Sequence, residues 1–173
     1  MSSAADTAID RARREDVAAI CAFGAAVLPP HYEPLIGADA AAELVADWWN
    51  PRVTAEGVAA GALWVARDGR GAIIGVGELG SIDGEPVVYK LYVVADIRGG
   101  GVGARLLDAM IAEVPAGVPR VLLEHVAANR RAARFYEREG FVVDRVEMVD
   151  PSRPERDLVW RARALGTSSA IVS

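Results

Sequence analysis

Residues 87–104 read V-V-Y-K-L-Y-V-V-A-D-I-R-G-G-G-V-G-A, and no other stretch restricts the fold as much. An apolar run ends at Ala95-Asp96. Arg98 and three consecutive glycines follow. Val102, Leu106, Leu107, Met110, Ile111 and Val114 then recur at helical spacing. The order is strand, glycine turn, helix. Glycine tolerates φ > 0 and lets a backbone approach a ligand closely. The first N–H groups of a helix lack partners within it and lie at the positive end of its dipole. The pattern therefore makes an anion site suited to a phosphate or pyrophosphate, with Arg98 as a cation beside it.

Two phosphate-binding patterns fit these residues. One is the dinucleotide fingerprint G-x-G-x-x-G/A, met by Gly99, Gly101 and Ala104, with Glu124 placed downstream where a ribose-binding acid belongs. The other is R/Q-x-x-G-x-G/A, met by Arg98, Gly101 and Gly103. In a dinucleotide fold the first glycine directly follows the strand. Here Ala95 to Arg98 intervene. A second block, residues 129–141, reads N-R-R-A-A-R-F-Y-E-R-E-G-F. Together the two blocks resemble the acyl-CoA-binding motif and the N-x-x-A-x-x-F-Y-x-x-x-G-F block of the GNAT superfamily of N-acetyltransferases. The resemblance is strong over 87–141, extends to Arg163 and is faint before Leu63.

The bulk numbers fit a globular protein. The chain has 173 residues, 52% hydrophobic and 25% charged, and reads as one domain over 1–165 with a flexible tail over 166–173. No apolar run approaches the roughly 18 residues of a membrane span, and Met1 to Asp6 lack the features of a signal peptide. Cys21 stands alone, so no internal disulfide forms and a cytoplasmic location is expected. The net charge of −5 argues against a nucleic-acid surface. No membrane partner and no metal are expected. The sequence is compatible with a homodimer.

The expected fold class is α/β (α+β), a central mixed sheet of about seven strands flanked by about four helices. A strand over residues 7–13 comes first, then a helix from Arg14 that Pro29-Pro30 stops. His31-Tyr32-Glu33-Pro34 reads as a loop. A second helix spans about 39–49, with Leu44, Val45, Trp48 and Trp49 on one side, and Pro51 ends it. Strands follow at 63–67, 72–79 and 87–94, as an antiparallel meander with turns at 68–71 and 81–86. After the helix at 102–114, a strand at 120–126 runs parallel to 87–94 if the crossover is right-handed. Asn129 caps a helix over 130–139, with Gly140 at its C′ position. Strands over 141–149 and 157–163 close the chain. The order β-α-α-β-β-β-α-β-α-β-β is the layout that the resemblance implies.

The resemblance implies acetyl-CoA as co-substrate and an amine of a small molecule or a peptide as acceptor, attacking directly in a ternary complex. The pyrophosphate would sit on the N–H groups of Gly99, Gly100, Gly101, Val102, Gly103 and Ala104. The pantetheine arm would pair with Val93 and Val94 between two splayed parallel strands. Asn129 would hold that arm, and Tyr136 would protonate or hydrogen-bond the leaving thiolate. The N–H of Val93 or Val94 would receive the developing oxyanion. For the general base, Glu78 is the first candidate; His125, Glu85 and Tyr32 follow. His31, Tyr32, Trp48 and Trp49 could line the acceptor pocket, although such tryptophans more often pack in cores.

Overall fold

The structure is a computed structural model that describes residues 7–166. Residues 1–6 and the expected tail, apart from Gly166, lie outside the described residues. Every strand expected from the apolar patterning is present. In chain order these are β1 (Ala8–Arg11), β2 (Leu63–Arg67), β3 (Ile73–Ile82), β4 (Glu85–Val93), β5 (Arg120–Val126), β6 (Val142–Glu147) and β7 (Leu158–Ala164). They form a seven-stranded mixed sheet in the order β1-β2-β3-β4-β5-β7-β6. β1–β2, β2–β3, β5–β7 and β6–β7 pair antiparallel. β4 and β5 pair parallel, at Val87↔Leu122 and Val88↔Leu123. The helices are α1 (Val17–Ile36), α2 (Ala38–Trp48), α3 (Pro51–Ala59), α4 (Val102–Ile111) and α5 (Arg130–Arg138). One helix more than expected is therefore present among the described residues.

The differences from expectation all have local causes. Pro29, Pro30 and Pro34 lie inside α1, which continues through the segment read as a loop. Each proline removes a backbone donor. The helix nevertheless continues past Pro29 and Pro30 and carries the buried Tyr32. Gly37, at φ 93, ends it, its N–H donating to Glu33 O at 3.0 Å. Pro51 does not close a helix but opens α3 at its first turn, where a missing N–H costs nothing. The side chain of Asn50 caps that turn by accepting from Val53 N–H at 3.0 Å. Trp48 and Trp49 do not share a side: Trp48 is 59% exposed and Trp49 is 3% exposed. α4 stops at Ile111, short of Val114. The 81–86 turn tightens to Asp83 and Gly84, both at positive φ, which lengthens β3 and β4.

The chain forms two compact units. Among the described residues, one holds 7–79 together with Lys90–Met110, and the other holds Gly80–Tyr89 and 111–166. In the first, α4 buries Val102, Leu106, Leu107 and Met110. The Sδ of Met110 reaches β3 at Gly77, where a side chain would have no room. α1 meets the end of α2 at Gly24, which lies against the Trp49 ring. In the second, Val87, Leu122 and Trp160 form a buried cluster with Ala162 against it. No helix among the described residues is long and apolar enough to cross a membrane.

A Cβ at Gly24 would fall 2.8 Å from Cγ of Trp49, so Gly24→Ala must displace a buried ring. The expected loss is about 1–3 kcal/mol in a urea titration. An unchanged midpoint would show that the ring has room to move.

Candidate active site

The glycine turn leaves β4 through a short 3-10 turn at Ala95–Ile97. Gly99 and Gly101 have φ of 89 and 80, a region in which side chains are strained. Nothing lies within 4 Å of where a Cβ would sit on either, so the outer side of the turn is open. Arg105 N–H donates to Gly101 O at 3.0 Å, closing the first turn of α4. The N–H groups of Val102, Gly103 and Ala104 precede that bond and have no carbonyl four residues back within the helix. Gly100 differs, because its N–H donates to Ile97 O at 3.1 Å. One amide of the expected cradle is thus used to shape the turn. Arg98 has a structural task too: its Nε donates to Val93 O at 3.0 Å, tying the turn to the strand end.

The end of β4 separates Val93 from Val94. The N–H of Val94 donates to Ile74 O at 3.0 Å, toward β3. Successive residues of a strand direct their N–H groups to opposite edges. The N–H of Val93 therefore points to the other edge of β4. Two residues were equivalent candidates for an oxyanion donor in sequence, and only Val93 has its N–H away from β3.

Beside this strand end, α1, α2 and β4 bring aromatic side chains together within the first unit. The hydroxyls of Tyr32 and Tyr92 are 2.8 Å apart. The Tyr92 ring meets Trp49 edge-on at 5.6 Å, and His31 packs on Tyr32 at 4.8 Å. Lys90 Nζ lies 5.2 Å from the Trp49 ring centre and is ion-paired with Glu78. Lys90 is 6% exposed. The first-choice base is thus already engaged. Sequence reading passed over Lys90 and Tyr92; the lone charge inside the run V-V-Y-K-L-Y-V-V was the available signal.

Asn129 and Tyr136 lie in the second unit. The Asn129 side chain accepts from Ala132 N–H at 3.1 Å and caps α5, as its position before the helix implied. Gly140, at φ 85, follows the last turn. Tyr136 is 8% exposed, edge-on to Phe135 at 5.3 Å and to Phe141 at 5.9 Å. The His125 ring lies along it at 6.0 Å between centres. Arg161, which sequence reading did not single out, organises this region. Its Nε donates to His125 Nε2 at 2.9 Å, and its Nη2 is ion-paired with Glu137 at 3.0 Å. An arginine can only donate, so Nε2 accepts and Nδ1 carries the proton, which it gives to Val126 O at 2.9 Å. Both imidazole nitrogens are occupied, which makes His125 a packed residue and not a free base. Glu85 is held by Arg120 through two bonds, and that cation keeps its carboxyl below the usual range.

Burial holds the pKa of His125 below its ordinary 6.5, with the Arg161 charge adding to the effect and the Val126 carbonyl and Glu137 opposing it. The folded chain resists a proton that the unfolded chain accepts. Stability from this group is therefore complete above the unfolded value and is lost as the pH falls from there toward the folded one. The melting temperature should drop as the pH falls below the ordinary value of 6.5. The drop should be smaller in His125→Gln, whose amide oxygen can still accept from Arg161. Identical pH profiles for the two proteins would refute the assignment.

Comparison with known proteins agrees with this geometry. Residues 59–143 match the family model described as "Acetyltransferase (GNAT) domain". A mycothiol acetyltransferase of Propionibacterium freudenreichii subsp. shermanii is 34% identical over 156 residues, covering 86% of this chain and 47% of its own. The chain thus spans about half the length of the curated relative that it matches. The crystal structure of the PaiA N-acetyltransferase of Thermoplasma acidophilum, in complex with coenzyme A, superposes with a TM-score of 0.75 at 16% identity, covering 92% of this chain and 99% of that one. A GCN5-related N-acetyltransferase of Rhodopseudomonas palustris gives 0.73 at 19%, covering 95% and 98%. The glycine turn entering α4, the N-x-x-A-x-x-F-Y block on α5 and the sheet order coincide with a family-model match over just under half of the chain and with a shared fold, and together these support the chain's similarity to the GNAT superfamily of acetyltransferases.

Proposed function

We propose that this chain is an acetyl-CoA-dependent N-acetyltransferase that acetylates a primary amine of a small molecule or a peptide by direct attack in a ternary complex. The observation that carries the reading is the open glycine turn, which joins the helix-start amides of α4 to a strand whose Val93 N–H is directed away from β3. Support also comes from the relative named as a mycothiol acetyltransferase and from the neighbour solved with coenzyme A.

The residues present fit a diphosphate. Positive-φ Gly99 and Gly101 keep the approach clear of side chains. The N–H groups of Val102, Gly103 and Ala104, at the positive end of α4, would hold the anion. Gly99 and Gly101 would complete the cradle, Gly100 would shape it, and Arg98 would brace it through Val93 O. Val93 would pair with the pantetheine amides as an added strand does, and Asn129 would position the arm while capping α5. Val94 would contribute its side chain, since its N–H is committed to Ile74.

Bound acetyl-CoA would supply a thioester, whose acyl carbon accepts the amine's lone pair. The chain's own contributions would be few. Val93 N–H would donate to the oxygen on which negative charge builds. The Tyr136 hydroxyl would hydrogen-bond the departing sulfur. An alkyl ammonium with a pKa near 10.4 must first lose its proton, at a cost of about 4–5 kcal/mol at pH 7. Glu78 could take that proton only by weakening its pairing with Lys90. The acceptor would lie against Tyr32, Tyr92 and His31, where aromatic faces suit an ammonium group.

The reading is tested by thiol release from acetyl-CoA with a panel of amines. Turnover on at least one amine is expected. Tyr136→Phe should lower kcat by about 10²-fold or more with little change in affinity for CoA. Binding of CoA without turnover on any amine would leave a non-catalytic acyl-CoA-binding protein, and an unaltered rate in Tyr136→Phe would remove that residue from the chemistry.

A further inference from the structure

Helix α5 reads R-R-A-A-R-F-Y-E-R, and Arg130, Arg131, Arg134 and Arg138 are all exposed. At 3.6 residues per turn the four fall within about 100° of one another around the helix, in a stripe about 12 Å long. The buried Tyr136 is on the opposite side. This stripe works against the helix that carries it. Arg130 with Arg134, Arg131 with Arg134, and Arg134 with Arg138 set like charges three or four residues apart, which destabilises a helix. Arg130 and Arg131 also stand in the first turn, at the positive end of the dipole, and no acid accompanies them there. Glu137 is the only acid between Arg130 and Arg138, and it is ion-paired with Arg161 of β7. Among the described residues, none of the four guanidinium groups has an ion pair or a hydrogen bond. Over the whole chain 19 bases stand against 24 acids, so composition does not account for so dense a run.

We propose that the arginine face of α5 docks a short acidic segment of a partner protein. Spacing favours that occupant. Side chains four apart on a helix recur about every 6 Å, and alternate side chains of an extended segment recur about every 7 Å. Three carboxylates at alternate positions therefore meet Arg130, Arg134 and Arg138 in turn, with Arg131 beside the first. Each guanidinium offers a carboxylate two parallel N–H donors. Other polyanions fit less well. Proteins hold a single nucleic-acid strand by stacking its bases on aromatic side chains. The aromatic residues of α5, Phe135 and Tyr136, pack edge-on against each other away from the stripe. Helices that lie on anionic membranes present apolar side chains beside their cations, and no apolar residue of α5 falls within the arginine arc. The α5 residues assigned to acetyl transfer are not part of the stripe, so this inference does not rest on that reading.

Fluorescence anisotropy of a fluorescein-labelled peptide of alternating glutamate and serine, titrated with the full chain, tests the proposal. Saturable binding that weakens as salt is raised is expected. The double variant R134Q/R138Q should weaken it by about tenfold, with a melting temperature no lower than that of the wild type. Arg130→Gln and Arg131→Gln should each raise the melting temperature, because each removes a cation from the positive end of the dipole. A peptide that does not bind would overturn the proposal. So would equal binding by R134Q/R138Q, or tighter binding of an oligothymidylate or of phosphatidylserine vesicles through these arginines. Competition by coenzyme A would assign the stripe to the coenzyme's phosphates, and a lowered melting temperature in R134Q/R138Q would assign it to the fold; either result overturns it as well.

Discussion

The arrangement depends on how the end of β4 is shared between neighbours. Val94 gives its N–H to Ile74, Arg98 gives its Nε to Val93 O, and Gly100 gives its N–H to Ile97. These three bonds fix the strand end and the turn after it. Outside these three bonds lie the amides at the start of α4, which have no carbonyl four residues back within the helix, and the Val93 N–H, which is directed away from β3. A backbone that is rigid because some of its groups are satisfied can present the others to a ligand with little reorganisation, which is the condition for electrostatic stabilisation of developing charge.

The second unit achieves rigidity by a different route. Arg161, 4% exposed, connects β7 to β5 through His125 and to α5 through Glu137. The imidazole that receives its bond packs along the Tyr136 ring. A buried guanidinium removed from water is costly unless it is paired and hydrogen-bonded, and here it has a carboxylate and an imidazole. The first unit contains the corresponding pair of Lys90 and Glu78 beneath Trp49. In both places an ion pair is linked to packed aromatic side chains, Trp49 through Lys90 and Tyr136 through His125.

What could be read from the sequence was local. The limits of β2 and β5, the Asn129 cap, the Gly140 stop and the glycine turn each follow from neighbouring residues, and the structure has them where they were expected. The errors arose where tertiary packing overrode a local rule. Three prolines do not break α1, and the turn beyond Pro30 carries Tyr32, which is buried. Pro51 is a helix starter once Asn50 is recognised as a cap. Lys90–Glu78 and Arg161–His125 could not be read at all, since their partners lie 12 and 36 residues apart. The family resemblance supplied candidate roles, but which of Val93 and Val94 faces away from β3 needed the strand pairing.

The central claim is that main-chain amides at the glycine turn grip the diphosphate of coenzyme A. The most direct measurement is the amide spectrum of the ¹⁵N-labelled chain during titration with CoA. Gly99, Gly101, Val102, Gly103 and Ala104 should shift together and saturate with one dissociation constant, with smaller changes at Gly100 and Val94, whose N–H groups already have partners. Saturable binding that leaves the resonances of the turn unmoved would contradict the account.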